Sequence, residues 1–139
     1  MTTAMMTAQE LQELNAKLSL VATRTVEVRE SDGLVDTHIV IQDGDTLIVH
    51  ATGQIWAGVW FTGLNGPRGW DNIDCANKFP LPCSHPFCLL GKLDNGYFYI
   101  GDTYRVDKMP MQGELYLEIN DDVHGNGSGA FTAIIQVYR

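Results

Sequence analysis

The spacing of hydrophobic residues changes after about residue 20. Residues 7–10 form a capping box, in which Thr7 is the N-cap and Glu10 bonds back to it. Leu11, Leu14 and Leu18 follow at helical spacing. The pattern predicts a helical lead-in within residues 1–20, which covers a sheet edge or docks on a neighbouring subunit.

Alternating apolar and polar positions dominate from residue 21 to residue 139. The runs are short, rich in β-branched and aromatic residues, and separated by Asp-Gly or Asn-Gly turns. They are centred on Val26–Val28, Ile39–Ile41, Leu47–Val49, Tyr97–Ile100, Leu115–Ile119 and Ala133–Tyr138. This pattern predicts a single all-β domain built as a small antiparallel β-sandwich or barrel. Between Thr62 and Pro86 the alternation stops, which predicts a functional loop or a long irregular connection.

Composition narrows the classes of partner. The chain has 139 residues, nine Lys plus Arg that are scattered, and a formal net charge of −8. Nucleic acids and anionic membranes require clustered basic residues, so neither is an expected partner. The apolar runs are too short to span a membrane, and the first ten residues lack the basic and apolar regions of a signal peptide. We therefore expect a cytoplasmic protein, with export by an unconventional route left open.

A polar loop between two predicted strands is a candidate cation site. Residues 120–129 contain five oxygen-bearing side chains and three glycines. Ca²⁺ prefers such oxygen ligands, and glycines let the backbone fold around an ion. The alternative is a plain hairpin loop rich in turn-forming residues.

The three cysteines allow several interpretations. An odd count without a signal peptide favours reduced thiols, although Cys83 and Cys88 are close enough for a local bridge. Cys75, Cys83, His85 and Cys88 could together form a Cys₃His zinc site, but their spacing is uncommon. The alternative is core-facing thiols with His85 in a turn. A Cys83–His85 nucleophile and base is weakly indicated and no other catalytic motif is present, so we expect no enzyme.

Tryptophans are the candidate sugar-stacking residues, because an indole face packs well on a pyranose ring. Trp70 is favoured because it lies in the irregular segment. Trp56 and Trp60 are interpreted as strand residues, and Trp in a strand is more often a core residue than a binding platform.

Four segments resemble one family. Asp36–Gly53 is similar to its strand–GD–strand–AxG segment, Gly66–Gly69 to its GPxG turn, and Phe87–Leu93 to the strand that follows. Gly113–Asp122 with Ser128–Phe131 is similar to its GxLxLxxND…SGxF close. The family is the galactophilic, calcium-dependent bacterial lectins of the LecA (PA-I) type. The resemblance extends from about Val35 to Val137, leaves the N-terminal helix outside, and includes a pair like Cys83 and Cys88.

The resemblance implies a galactose-binding-domain-like jelly roll that forms a homo-oligomer and holds sugar hydroxyls through Ca²⁺. Carried over by position, Asp121 is the acidic ligand and Asn126 is the first of two consecutive Asn ligands that also contact sugar. Gly127 replaces the second, and Asp122 could compensate for it. The aromatic ligand upstream falls near Trp56 or Ala57 without the family's Tyr, and the His and Gln sugar contacts have no counterpart in the loop from Trp70 to Pro82.

Two functions follow. The leading hypothesis is a lectin-like protein that binds a galactoside or another hexose, with Ca²⁺ at Asp121, Asp122 and Asn126. The sugar would lie between the 120–129 loop and the Trp70–Pro82 loop. The alternative is a structural or protein-interaction module that has lost the calcium and sugar site.

Overall fold

The computed structural model describes residues 7–94 and 96–139. It begins with one helix, α1 (Ala8–Lys17). The predicted capping box is confirmed: the backbone N–H of Glu10 donates to Thr7 Oγ1 at 3.1 Å, and the Thr7 N–H donates to Glu10 Oε1 at 3.2 Å. No helix in the described residues is long and apolar enough to cross a membrane.

In the part of the chain that the structure describes, nine strands follow the helix. They are β1 (Leu20–Arg29), β2 (Val35–Ile41), β3 (Thr46–Trp56), β4 (Leu64–Asn65), β5 (Leu89–Leu93), β6 (Gly96–Tyr99), β7 (Thr103–Val106), β8 (Gly113–Ile119) and β9 (Ser128–Tyr138). One sheet has the order β1-β9-β3-β4, with β7 also paired to β3. The other has the order β2-β8-β5-β6. Every pairing is antiparallel, so the predicted β-sandwich is confirmed.

The core lies between the two sheets and follows from the alternation in the sequence. On β9, Phe131, Ala133, Ile135 and Val137 are buried, and the residues between them are more exposed. The opposite sheet buries Leu115, Leu117 and Ile119 of β8 in the same cluster. Each of the larger of these side chains contributes about 1.5–3 kcal/mol by leaving water, so the register of these strands is strongly specified.

The segment between Thr62 and Pro86 is irregular, as predicted. Besides β4, its described part forms one isolated antiparallel bridge, between Asp74 and Ser84. The Asp74 N–H donates to the Ser84 carbonyl at 3.2 Å, and the Cys83 N–H donates to the Asp74 carbonyl at 2.7 Å. Asn95, in one of the predicted Asn-Gly turns, lies outside the described residues.

The bridge corrects our interpretation of the cysteines. It places Cys75 beside Cys83, and these two form a disulfide, while Cys88 is free and fully buried. The expectation of reduced thiols throughout, the Cys83–Cys88 pairing and the Cys₃His zinc site are therefore wrong. Sequence proximity suggested Cys83 and Cys88, but Cys88 begins the chain's return into the core next to Leu89.

The disulfide can be tested by counting thiols. We expect no thiol to react in the native protein, because Cys88 is buried and burial raises its pKa to about 12. After denaturation without reductant, we expect one reactive thiol per chain. Peptide mapping should link Cys75 to Cys83; a Cys83–Cys88 peptide would contradict this connectivity.

Candidate functional site

Three loops meet at one end of the sandwich. Trp56 at the end of β3 pairs with Ser128 at the start of β9, so the chain after β3 and the chain before β9 lie side by side. Ile119 at the end of β8 pairs with Leu89 at the start of β5, which brings the irregular segment to the same end. Residues 57–63, 66–87 and 120–127 therefore form one loop cluster.

Asn120 fastens the irregular segment to β8. Its side chain is fully buried. The amide oxygen accepts a hydrogen bond from the Leu81 N–H at 3.0 Å, and the amide nitrogen donates to the carbonyls of Leu81 and His85 at 3.2 and 3.1 Å. The His85 ring in turn contacts the Trp70 carbonyl through Nδ1 at 2.9 Å. This chain of contacts fixes the position of the Trp70 backbone.

Glu30 organises the 120–127 loop from the inside. The side chain is 1% exposed. Its Oε1 accepts hydrogen bonds from the N–H groups of Gly125 and Gly127, both at 3.1 Å. In the amide orientation that satisfies its hydrogen bonds, Asn126 donates to Glu30 Oε2 at 3.1 Å, and also to the carbonyls of Ala57 and Val123. A carboxylate surrounded by donors thus holds the loop together.

Gly127 cannot be replaced by a larger residue in this loop conformation. A Cβ added at this position would overlap the carbonyl oxygen of Trp56, and it would lie 2.9 Å from the Gly58 nitrogen. The packing of this loop therefore requires Gly at position 127, where the resembling family has the second of two consecutive Asn residues. Restoring Asn at position 127 would require the backbone to move.

A small cleft of about 160 Å³ opens between these loops. Its lining combines aromatic and charged side chains, including Phe61, Trp70, Asp74, Lys78, Phe79 and Asp122. The Phe61 and Trp70 rings meet edge to face with centroids 5.7 Å apart. Lys78 Nζ lies 3.8 Å from Asp122 Oδ2 and 5.2 Å from the centre of the Phe79 ring. The cleft offers an apolar wall and both donors and acceptors, which suits a small polar ligand with an apolar face.

Asp121 is the most electrostatically constrained group of the cluster. It is 4% exposed, and its Oδ2 has no hydrogen-bond partner. Oδ1 accepts a long hydrogen bond from the Val123 N–H at 3.4 Å. Burial, followed by the neighbouring Asp122 carboxyl, raises the pKa of Asp121 from 3.8 to about 6. Burial and a second carboxylate nearby both disfavour the ionised form of Asp121, so binding of a proton or a cation would stabilise the group.

These residues fit a Ca²⁺ ion in part. Asp121 and Asp122 are adjacent carboxylates, and Asp121 Oδ2 is a buried acceptor with no partner. Asn126 is engaged with Glu30, Ala57 and Val123 instead. An ion at Asp121 and Asp122 would need further oxygens from main-chain carbonyls and water, since Ca²⁺ takes six to eight.

The structure brings together some of the predicted site residues. Trp70 and Asp122 line the same cleft, whereas Asn126 packs against the buried Glu30. Trp56 lies at the end of β3, as interpreted, but the strand interpretation of Trp60 is wrong. Gly58 has a φ of +86° and turns the chain out of β3, which leaves Trp60 86% exposed.

Sequence reasoning missed Asp74, Lys78 and Glu30. Lys78 and Asp74 carried a weak signal, as charged residues inside the irregular segment. Glu30 carried none, because it lies beside an Asp-Gly turn, nearly a hundred residues from the 120–127 loop. A larger cleft, about 620 Å³, lies elsewhere, between α1 and the β3–β7 pair. Its described lining includes the apolar Leu18 and several charged side chains, such as Glu10 and Arg105.

Comparison with known proteins adds evidence on the fold. No family model and no curated protein matches the sequence. A solved structure described as the EclA N-terminal domain, a PllA-like lectin, superposes with a TM-score of 0.65. The two sequences are 21% identical, and the superposition covers 85% of this chain and 97% of the lectin domain. The chain therefore has the β-sandwich fold seen in that lectin domain.

The role of Glu30 can be tested by Glu30→Gln. The substitution turns an acceptor oxygen into an NH₂ group facing the N–H groups of the loop, so buried donors lose their partner. Such a loss typically costs about 1–3 kcal/mol, and we expect the thermal midpoint to fall by several degrees. Glu27→Gln, at an exposed position of the preceding strand β1, is the matched control. Equal midpoints for the two variants would contradict the role of Glu30.

The strain at Asp121 predicts a pH dependence of stability. The pKa is raised to about 6 in the folded protein, against 3.8 when exposed, so the folded state binds this proton more tightly. Stability from this group is present below pH 3.8 and is lost as the pH rises towards 6. In chelator, Asp121→Asn should melt a few degrees above the wild type at pH 7 and level with it at pH 3.5. A variant that melts lower at pH 7 would show that Asp121 is stabilised as a carboxylate.

Proposed function

We propose that this protein binds carbohydrate in the cleft between the 57–63, 66–87 and 120–127 loops. The observation that carries the proposal is the pairing of an aromatic wall, Phe61 and Trp70, with the charged side chains Lys78 and Asp122 in one small cleft. The lectin-like fold supports it. The function is reversible binding and not catalysis.

Each side of the cleft suits one face of a sugar. The C–H groups of a pyranose would pack against Trp70 and Phe61, as apolar groups do on aromatic rings. The carboxylates of Asp74 and Asp122 would accept hydrogen bonds from hydroxyl groups, and the Lys78 ammonium would donate one. The volume of about 160 Å³ lies below that of drug-sized pockets, so one sugar ring is the proposed occupant.

Calcium is the proposed cofactor, held by Asp121 and Asp122. Bound Ca²⁺ would offer coordination positions to sugar hydroxyls and offset the charge of the two carboxylates. The unpartnered Oδ2 of Asp121 supports this assignment. Asn126 was predicted as a third ligand, and its engagement with Glu30 argues for a smaller ligand set. The galactoside preference rests on the sequence resemblance to the LecA-type lectins.

A structural or interaction module is the second candidate. The observation that favours it is Glu30, which supplies the 120–127 loop with an internal anchor that requires no ion. Lys78 also partly balances Asp122. In this alternative the fold is retained for association with other proteins, and the loop cluster binds neither Ca²⁺ nor sugar.

Assembly and location complete the proposal. A homo-oligomer would raise weak single-site affinity through avidity. Cytoplasmic synthesis is the prediction from sequence, but the Cys75–Cys83 disulfide suits an oxidising environment. We therefore propose that the protein acts in an oxidising environment outside the cytoplasm.

The deciding experiment joins a glycan array to melting curves in chelator and in millimolar Ca²⁺. Binding of Ca²⁺ at about a hundred times its Kd adds roughly 2.7 kcal/mol, so the midpoint should rise by several degrees. Asp121→Asn should abolish the rise. A galactoside on the array should bind only with Ca²⁺ present.

The cleft itself is tested with Phe61→Ala and Trp70→Leu. Loss of aromatic contact should weaken sugar binding about fivefold to tenfold, while melting curves verify the fold. Ile134→Ala is the control, because Ile134 is exposed on β9, six residues along the strand from Ser128. Calcium stabilisation without glycan binding would leave an ion-stabilised module. If neither calcium stabilisation nor glycan binding is observed, the interaction module is favoured.

A further inference from the structure

A second cluster of metal-binding side chains lies on the other sheet, away from the loop cluster. Asp36 and His38 are on β2, and Glu114 is on the neighbouring strand β8. Their ligand atoms all lie within 4.8 Å of one another. Oδ2 of Asp36 is 3.6 Å from Nδ1 of His38. One imidazole and two carboxylates thus converge at one place on the protein surface.

The three residues lie beside an irregularity in the pairing of β2 with β8. Asp36 pairs with Tyr116 and Val40 with Glu114, so three residues of β2 stand opposite one residue of β8. In regular pairing Glu114 would face His38. The extra length lets β2 bulge, and His38 adopts a φ of +59°. His38 and Asp36 then approach Glu114 from the same side.

The bulge is fixed on its buried side by Thr37, and the side chains of the cluster are exposed on the other side. The buried Thr37 hydroxyl donates to the Leu115 carbonyl at 2.7 Å and accepts from the Ile39 N–H at 3.2 Å. Asp36 Oδ1 accepts from the His38 N–H at 2.8 Å, which leaves Oδ2 for another contact. The His38 side chain is 74% exposed and the Asp36 side chain 32% exposed. The backbone is therefore fixed while the ligand groups can adjust.

The charges in this cluster are incompletely balanced. The carboxyl groups of Asp36 and Glu114 lie close together, with ligand oxygens within 4.8 Å of each other. Within residues 7–94 and 96–139, no ion pair from a lysine or arginine to either carboxylate is found. His38 is their one basic neighbour in these contacts. A divalent cation would satisfy both carboxylates and would use the imidazole as well.

We propose that Asp36, His38 and Glu114 form a binding site for a divalent transition metal, with Zn²⁺ as the best match. Zinc accepts imidazole nitrogen at about 2.0–2.1 Å and carboxylate oxygen at about 2.0–2.2 Å, and it accepts sites with three protein ligands. Tetrahedral ligands at those distances are about 3.3 Å apart, so ligand atoms that lie within 4.8 Å of one another have to move closer by at most about 1.5 Å. Calcium is disfavoured because it prefers oxygen ligands alone.

This site is independent of the proposed sugar cleft. It uses strands β2 and β8, while the cleft uses loops around Trp70 and Asp122. Three protein ligands leave at least one coordination position for water or another ligand. Failure of sugar or calcium binding at the cleft would leave the zinc proposal unchanged.

The test is calorimetric titration of the full chelator-treated protein with ZnCl₂. We expect one site in the Asp121→Asn background, where the other carboxylate pair is disabled. His38→Ala and Glu114→Gln should each weaken it about tenfold or more. His50→Gln is the control, because His50 lies on β3 and its Nδ1 contacts the Asp102 carbonyl.

A second readout does not depend on affinity. Co²⁺ in place of Zn²⁺ should give visible absorption bands, and His38→Ala should change both their position and their intensity. Melting curves of each variant without metal verify that the fold survives. The proposal is overturned if zinc binds all variants equally, if His50→Gln alone loses the site, or if the folded protein does not bind zinc.

Discussion

The buried amide of Asn120 is the contact on which the loop cluster depends. A long irregular segment packed against a sandwich carries backbone groups that no strand partner satisfies, and each would be costly to bury alone. Asn120 satisfies three of them, two at Leu81 and one at His85. Because Asn120 directly follows β8, its hydrogen bonds hold the irregular segment to the end of the sheet. The aromatic wall of the cleft is therefore positioned by an amide on the neighbouring loop.

The two buried carboxylates of the loop cluster, Glu30 and Asp121, have opposite surroundings. Glu30 is surrounded by backbone and amide donors, so its charge is used to hold the 120–127 loop. Asp121 has one weak donor, an unpartnered oxygen and a second carboxyl beside it. The loop is thus stable around Glu30 and strained at Asp121. Such an arrangement keeps the fold intact without an ion while leaving one place where an ion would be favourable.

The sequence predicted the fold well because alternation in the strands reflects burial directly. Val26, Val28 and the apolar residues of β9 follow a period of two, and this alternation suffices to predict an antiparallel sandwich or barrel. The pairing of Cys75 with Cys83 was not predictable, because it depends on one bridge between Asp74 and Ser84 in a segment without periodicity. Likewise, the role of Glu30 depends on Gly125 and Gly127, nearly a hundred residues away in sequence.

The site was predictable only as far as residue type determined it. Trp70 and Asp122 were expected at one cleft and line it together, whereas Asn126 was expected to face an ion and faces Glu30. Gly127 explains why: its close approach to the Trp56 carbonyl leaves no room for the second Asn of the resembling family. Glu30 holds the loop from the inside through Gly125, Gly127 and Asn126. A binding site in this loop must therefore rely more on Asp121, Asp122 and the aromatic wall than a site with two consecutive Asn ligands would.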